Sequence, residues 1–200
     1  MRVGVLALQG DVAEHSRALR ALGVEARGVR TPDELDEVDA IVLPGGESTA
    51  IAHLLVTSGL LGPLTERLAG GMAAFGTCAG LVLLASSITD GRDGQPALGL
   101  LDVTVRRNGY GRQVASFETS CEVDGIGEVP AVFIRAPRVL AAGPGAEVLA
   151  TLDLGDGPHP VLVRQGSVMG CSFHPELTGD RRLHAAFLEL AASGAVSRPH

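Results

Sequence analysis

The hydrophobic pattern of this chain changes character near its midpoint. In the first half, short apolar runs alternate with longer amphipathic stretches. Arg2 to Leu8 (RVGVLAL) predicts a buried strand ended by Gln9-Gly10, and Val12 to Leu22 predicts a helix with Asp11 as its cap and Gly23 as its stop. Val24 to Val29 predicts a second strand, followed by a Pro32-led turn and a short acidic segment, Asp33 to Glu37. Asp39 to Leu43 (DAIVL) predicts a third strand, which runs into Pro44-Gly45-Gly46-Glu47-Ser48-Thr49 and a helix over about Thr49 to Thr57. A further helix is expected over about Pro63 to Ala69, then the end of a strand at Met72 to Phe75 and a helical stretch from Leu81 to Ala85. Strand and helix in alternation predict right-handed βαβ units and an α/β fold with a mostly parallel central sheet flanked by helices.

The second half reads as short β runs separated by Gly/Pro turns. Asp90 to Pro96 (DGRDGQP) is loop-like. Runs at Leu100 to Arg106, Gln113 to Val123, Ala131 to Ile134 and Glu147 to Leu152 predict an antiparallel β extension, either an added lobe or a widening of the sheet edge. Val161 to Arg164 and Val168 to Phe173 predict a hairpin around Gln165-Gly166-Ser167. A helix over about Asp180 to Ala192 closes the pattern, with Ser193 to His200 expected as a frayed tail. The whole, residues 1–200, is expected to be one domain.

Composition narrows this picture. Hydrophobic residues make up 46% of the 200 residues but aromatics only 3%, so the core must be built from Val, Leu, Ile and Ala, as suits parallel strands buried on both faces. The net charge of −7, without a basic run, argues against nucleic acid and anionic membranes as partners. No apolar stretch is long enough to span a bilayer, and Met1-Arg2 leads straight into a strand pattern rather than a signal peptide. Three cysteines without zinc-like pairing point to free thiols in a reducing compartment, and a cytoplasmic location is expected.

The chemistry centres on Phe75-Gly76-Thr77-Cys78-Ala79-Gly80-Leu81. Gly-x-Cys-x-Gly between an apolar strand and a helical stretch is the cysteine form of the strained turn that displays a nucleophile above an α/β sheet. At a helix start, the dipole and free N–H groups favour thiolate and can hold an oxyanion. A buried core cysteine is the competing reading. A base and a group to orient it are supplied by His174 and Glu176 in Ser172-Phe173-His174-Pro175-Glu176-Leu177, where the histidine directly follows an apolar β run. The glycine-rich turn at Gly45-Gly46 follows a strand and opens a helix, so its N–H groups can meet an anion; it lacks the Gly-Lys-Ser/Thr ending of a phosphate loop.

Leu43 to Thr49 (LPGGEST), Phe75 to Leu81 (FGTCAGL) and Phe173 to Thr178 (FHPELT) together resemble the class I, triad-type glutamine amidotransferases. Gly4 to Gly10 (GVLALQG), Arg106 to Gln113 (RRNGYGRQ), Phe133 to Pro137 (FIRAP) and Gly170 to Thr178 (GCSFHPELT) narrow the likeness to the glutaminase subunits of pyridoxal 5′-phosphate synthases. The resemblance implies that Cys78 attacks the side-chain amide of L-glutamine, that His174 is the base and Glu176 its orienting partner, and that the N–H groups of Gly46 and Ala79 form the oxyanion hole. It implies that Gly46, Glu47, Ser48, Arg107, Ile134 and Arg135 hold the glutamine. The implied partner is a pyridoxal 5′-phosphate synthase subunit in a large hetero-oligomer that receives the ammonia. No bound cofactor and no metal are implied. Gly70 to Phe75 (GGMAAF) departs from the basic lysine-proline approach of the family, outside the site.

Two other functional classes stay open on the residues alone: a class I glutaminase serving a different synthase, and an inactive α/β binding module. Cys121 and Cys171 lie in β runs without an elbow and are expected to be buried structural thiols. His15 and His184 fall on helical patterns, where surface or packing roles are expected. His53 lies about two helical turns beyond the Gly45-Gly46 turn, too far to be the base, and His159 is expected in a loop between two prolines. Gln9 and Gly10 end the first strand at the edge that faces the synthase in the family, and a docking role competes with a plain strand-end turn.

Overall fold

The computed structural model describes residues 1–91, 94–110 and 116–196. Its centre is a seven-stranded sheet. The strands are β1 (Arg2–Leu6), β2 (Glu25–Val29), β3 (Ala40–Leu43), β4 (Ala73–Thr77), and, from late in the chain, β10 (Glu147–Asp153), β11 (Pro158–Gln165) and β12 (Val168–Cys171). They lie in the order β10-β11-β12-β4-β3-β1-β2. The five strands from β12 to β2 are parallel, and β11 and β10 extend the edge antiparallel.

Alternation along each strand divides the apolar residues between two cores. Leu6, Ile41, Leu43 and Ala74 face one side, where α2 (Pro32–Asp36), α3 (Ser48–Thr57), α4 (Leu61–Ala69) and α5 (Ala79–Leu84) supply Leu35, Ile51, Leu55, Leu64 and Leu81. Val3, Val5, Val42 and Phe75 face the other, against Leu19 of α1 (Val12–Ala21) and Leu183 and Phe187 of α6 (Arg182–Val196). These residues are almost fully withdrawn from water, which is the main stabilising contribution here.

The antiparallel extension takes both expected forms. Besides β10 and β11, β7 (Ser116–Val123) and β8 (Gly127–Ile134) form a separate two-stranded ribbon packed on the second core. A three-stranded sheet joins β5 (Ala85–Ile88), β6 (Leu101–Arg106) and β9 (Arg138–Ala142), and its β5–β6 pair is parallel. The hairpin at Gly166-Ser167 closes β11 on β12, with Gln165 opposite Val168.

Several boundaries differ from expectation. Pro32 begins a helical turn, because Thr31 and Glu34 form a reciprocal capping box at its start. His159 lies within β11 opposite Leu152, not in a loop. The last helix runs on to Val196, so the expected tail from Ser193 is helical over its first residues. The remainder of that tail (197–200), part of the loop at 92–93 and the expected strand start at 113–115 lie outside the described residues. No single described helix is long and apolar enough to cross a membrane.

Candidate active site

The carboxyl ends of β1, β3, β4 and β12 open on one edge of the sheet, where α/β folds place their chemistry. β4 ends at Thr77, and the chain turns at once into α5. Cys78 takes the turn at φ 49° and ψ −104°, a left-handed conformation that costs a residue with a Cβ about 1–3 kcal/mol. Gly80 allows the turn: a Cβ there would collide with the backbone carbonyl of Leu43 on the neighbouring strand. The Cys78 N–H donates to the Cys171 carbonyl at 2.9 Å, which ties the elbow to β12. Its Sγ lies 4.0 Å from the Ile134 carbonyl oxygen, and the residue is 5% exposed.

From β12 the chain passes through Ser172 and Phe173 to His174, whose N–H donates to the Val132 carbonyl at 2.8 Å. Pro175–Leu177 then makes one 3-10 turn. That turn folds Glu176 back so that its Oε1 accepts from His174 Nδ1 at 2.7 Å. Both side chains are buried. Burial alone would lower the proton affinity of His174, but Asp11, the Cys78 thiol and Glu176 outweigh it and push the imidazole up to about 12. Burial pushes the Glu176 carboxyl up, against the pull of His174.

The third component is the turn after β3. Glu47 caps α3, accepting from the Thr49 N–H at 3.0 Å and the Ala50 N–H at 2.7 Å. Arg107, just past β6, donates to the same carboxylate at 2.7 Å. Partial burial would raise the Glu47 carboxyl, but these N–H groups and Arg107 hold it below its ordinary value. Gly45 leans on the His174 imidazole, so closely that a Cβ there would overlap the ring. Gln9 reaches across from the end of β1 and accepts from the Glu47 N–H at 2.9 Å.

One cavity of about 420 Å³ joins these parts. Its wall includes Gly46, Glu47, Ser48, Cys78, Ala79, Arg107, Ile134, Arg135 and His174, so the residues singled out in the sequence converge, with Glu176 behind the imidazole. Arg135 stands exposed on this wall at φ 43°. Cys121 and Cys171 are buried free thiols, both pushed up by burial, Cys121 to about 11. His53 is exposed, away from the cavity wall.

Asp11 stands where a helix cap is expected, but its side chain serves elsewhere. It occupies the cap position of α1, but its side chain makes no cap bond. Its Oδ2 lies 3.4 Å from His174 Nδ1 instead. Asp11, His174 and Glu176 place ligand atoms within 4.8 Å of one another, the spacing a cation could use. The imidazole nitrogen in that group is already bonded to Glu176, so the arrangement is that of two carboxylates bracketing one imidazole. His15 and His184 are fully buried rather than on the surface.

A parallel sheet with a cysteine elbow, a His-Glu turn and a glycine turn gathered at one edge is the arrangement of a class I glutamine amidotransferase. The chain belongs to the SNO glutamine amidotransferase family, whose profile matches residues 5–193. It is 57% identical over 194 residues to the pyridoxal 5′-phosphate synthase subunit PdxT of Parafrankia sp. (strain EAN1pec), covering 96% of this chain and 94% of that one. It is 58% identical over 192 residues to the protein of the same name from Mycolicibacterium vanbaalenii, covering 94% and 96%. A crystal structure described as a glutamine amidotransferase superposes with a TM-score of 0.89 at 53% identity, covering 95% of this chain and 98% of that one. A glutamine amidotransferase from Thermotoga maritima shares the fold alone, with a TM-score of 0.61 at 18% identity over 96% of this chain and 85% of its own.

Proposed function

We propose that this chain is the glutaminase subunit of a pyridoxal 5′-phosphate synthase. It hydrolyses L-glutamine to L-glutamate and ammonia, and it delivers the ammonia to a synthase subunit within a large hetero-oligomer. One observation carries the reading: the strained Cys78 elbow and the His174–Glu176 pair meet in one cavity that also holds the Glu47–Arg107 pair.

The Cys78 thiolate attacks the side-chain amide carbon of glutamine. The N–H groups of Gly46 and Ala79 receive the oxyanion. His174 gives its proton to the leaving nitrogen, ammonia departs, and a γ-glutamyl thioester remains. His174 then takes a proton from water, the hydroxide attacks the thioester carbon, and the Cys78 sulfur leaves with glutamate as the product. Glu176 keeps the imidazole in the right tautomer throughout. Free glutamine brings an α-carboxylate and an α-ammonium group. Arg107 and Arg135 suit the first and Glu47 the second, with Ser48 and Ile134 completing the grip.

The test is ammonia release from glutamine with and without an added pyridoxal 5′-phosphate synthase subunit. A strong increase with that partner is expected, together with complete loss in Cys78→Ala. Release that ignores the partner would assign the glutaminase to another synthase. Absence of release from a folded complex would overturn the catalytic reading.

A further inference from the structure

The mechanism leaves two buried histidines unused. His15 on α1 and His184 on α6 are separated by 169 residues in sequence, yet both are 0% exposed and touch through His15 Nδ1 and His184 Nε2 at 3.0 Å. His15 Nε2 lies 3.1 Å from Thr77 Oγ1, the residue just before the nucleophile, and 3.5 Å from Glu176 Oε2. That Glu176 oxygen and His184 Nδ1 have no hydrogen-bond partner among the described residues. Polar groups do not collect in a core of this kind without cost, so their order needs a reason.

Burial lowers the proton affinity of both rings, with each also feeling a neighbouring positive group, and His184 falls to about 4. Both are therefore neutral at physiological pH, and one proton occupies the contact between them. If His15 Nδ1 carried it, His15 Nε2 would present a bare lone pair to Glu176, and His184 would bury an N–H on Nδ1 with nothing to accept it. If His184 Nε2 carries it, His15 is protonated on Nε2. That N–H then points at Thr77 Oγ1 and Glu176 Oε2, and only an acceptor lone pair on His184 is left over. The second arrangement sets a donor 3.5 Å from the free oxygen of Glu176 and avoids a buried unpaired N–H.

We propose that His15, held in its Nε2–H tautomer by His184, is a positioning residue that anchors the second oxygen of Glu176 and so fixes the carboxylate that orients His174. A carboxylate bonded through one oxygen can turn about its own axis, whereas one held at both cannot. The line Cys78–His174–Glu176–His15–His184 thus runs from the cavity into the core between α1, β4 and α6.

The catalytic part of this inference rests on the proposed glutaminase reaction; the tautomer does not. Protein labelled with 15N-histidine is examined by NMR near neutral pH, with the two rings assigned from His15→Gln and His184→Gln. The N–H is expected on Nε2 in both rings, and an N–H on His15 Nδ1 overturns the proposal whatever the activity. His15→Phe keeps ring bulk but no donor, while His15→Gln puts an amide N–H near the position of Nε2. With the synthase partner present, His15→Phe is expected to lower kcat by on the order of 10- to 100-fold with the glutamine KM little changed, and His15→Gln to recover most of it. Full activity in His15→Phe, or equal loss in both variants, overturns the positioning role. A wild-type complex without activity counts against the glutaminase reading and leaves the tautomer to be decided by NMR.

Discussion

The carboxylate of Asp11 stands 3.4 Å from His174 Nδ1, the nitrogen that Glu176 holds at 2.7 Å. Two acidic groups thus bear on one imidazole, one at the cavity wall and one in the core. Replacing Asp11 by Asn removes one charge that favours the imidazolium. The sign is a fall in His174 proton affinity from its value of about 12. The basic limb of the glutaminase pH profile is expected to move to lower pH in Asp11→Asn, with little loss at the optimum. An unmoved basic limb would place the Asp11 charge outside the catalytic balance.

The backbone of Cys78 carries strain that any side chain at this position inherits. Cys78→Ala and Cys78→Gly are both expected to abolish ammonia release, but glycine adopts φ 49° without penalty. Chemical denaturation should find Cys78→Gly more stable than Cys78→Ala by about 1–2 kcal/mol. Equal stabilities would mean that the turn relaxes once the sulfur is gone.

Glu47 does two jobs with one carboxylate, and the jobs can be separated. Glu47→Ala removes the cap of α3 and is expected to cost about 1 kcal/mol of stability. Arg107→Ala breaks only the pair with Glu47, in which Glu47 is about half exposed, and should cost well under 1 kcal/mol. Both should raise the KM for glutamine. A KM unchanged in both would remove this pair from the substrate grip.

His184 makes the fold sensitive to acid. Its proton affinity in the folded chain, about 4, lies below the ordinary 6.5 because burial opposes its charge. Between those values the unfolded chain binds a proton that the folded chain refuses, so stability falls as pH drops through this window. His184→Gln cannot titrate. The loss of stability between pH 6.5 and 4 should therefore be shallower in that variant, by on the order of 3 kcal/mol at the lower end. Parallel denaturation curves for the two proteins across that range would count against it.

The parallel half of the fold was legible because its strands are apolar on both faces and separated by capped helices. The elbow and the His-Pro-Glu turn were legible because their chemistry depends on neighbours in sequence. What escaped depends on tertiary structure. In β5 (ASSI), both serines are exposed on a four-residue strand, too short to show alternation. His159 sits between prolines that normally break a strand. β12 pairs with β11 only from Leu162 onward, so Pro158 and Pro160 lie on a stretch of β11 that pairs with β10 but not with β12. His15 and His184 look like ordinary helical histidines, since nothing local can announce a partner 169 residues away. Asp11 fits the pattern of a helix cap, and the structure spends its carboxylate on His174 instead.

β12 pairs with β4 so that Cys171 lies opposite Thr77, one residue before the elbow on one side and three before His174 on the other. The distance between Cys78 and His174 is therefore written in a strand pairing rather than in a loop. Such a pairing has only integer settings: a slip of one residue moves the chain by about 3.3 Å and turns every side chain to the opposite face. Spacing in this enzyme behaves like a ratchet, with one notch that works and none beside it. Drift in the surrounding loops can retune what enters the cavity without shifting the strand register that spaces Cys78 from His174.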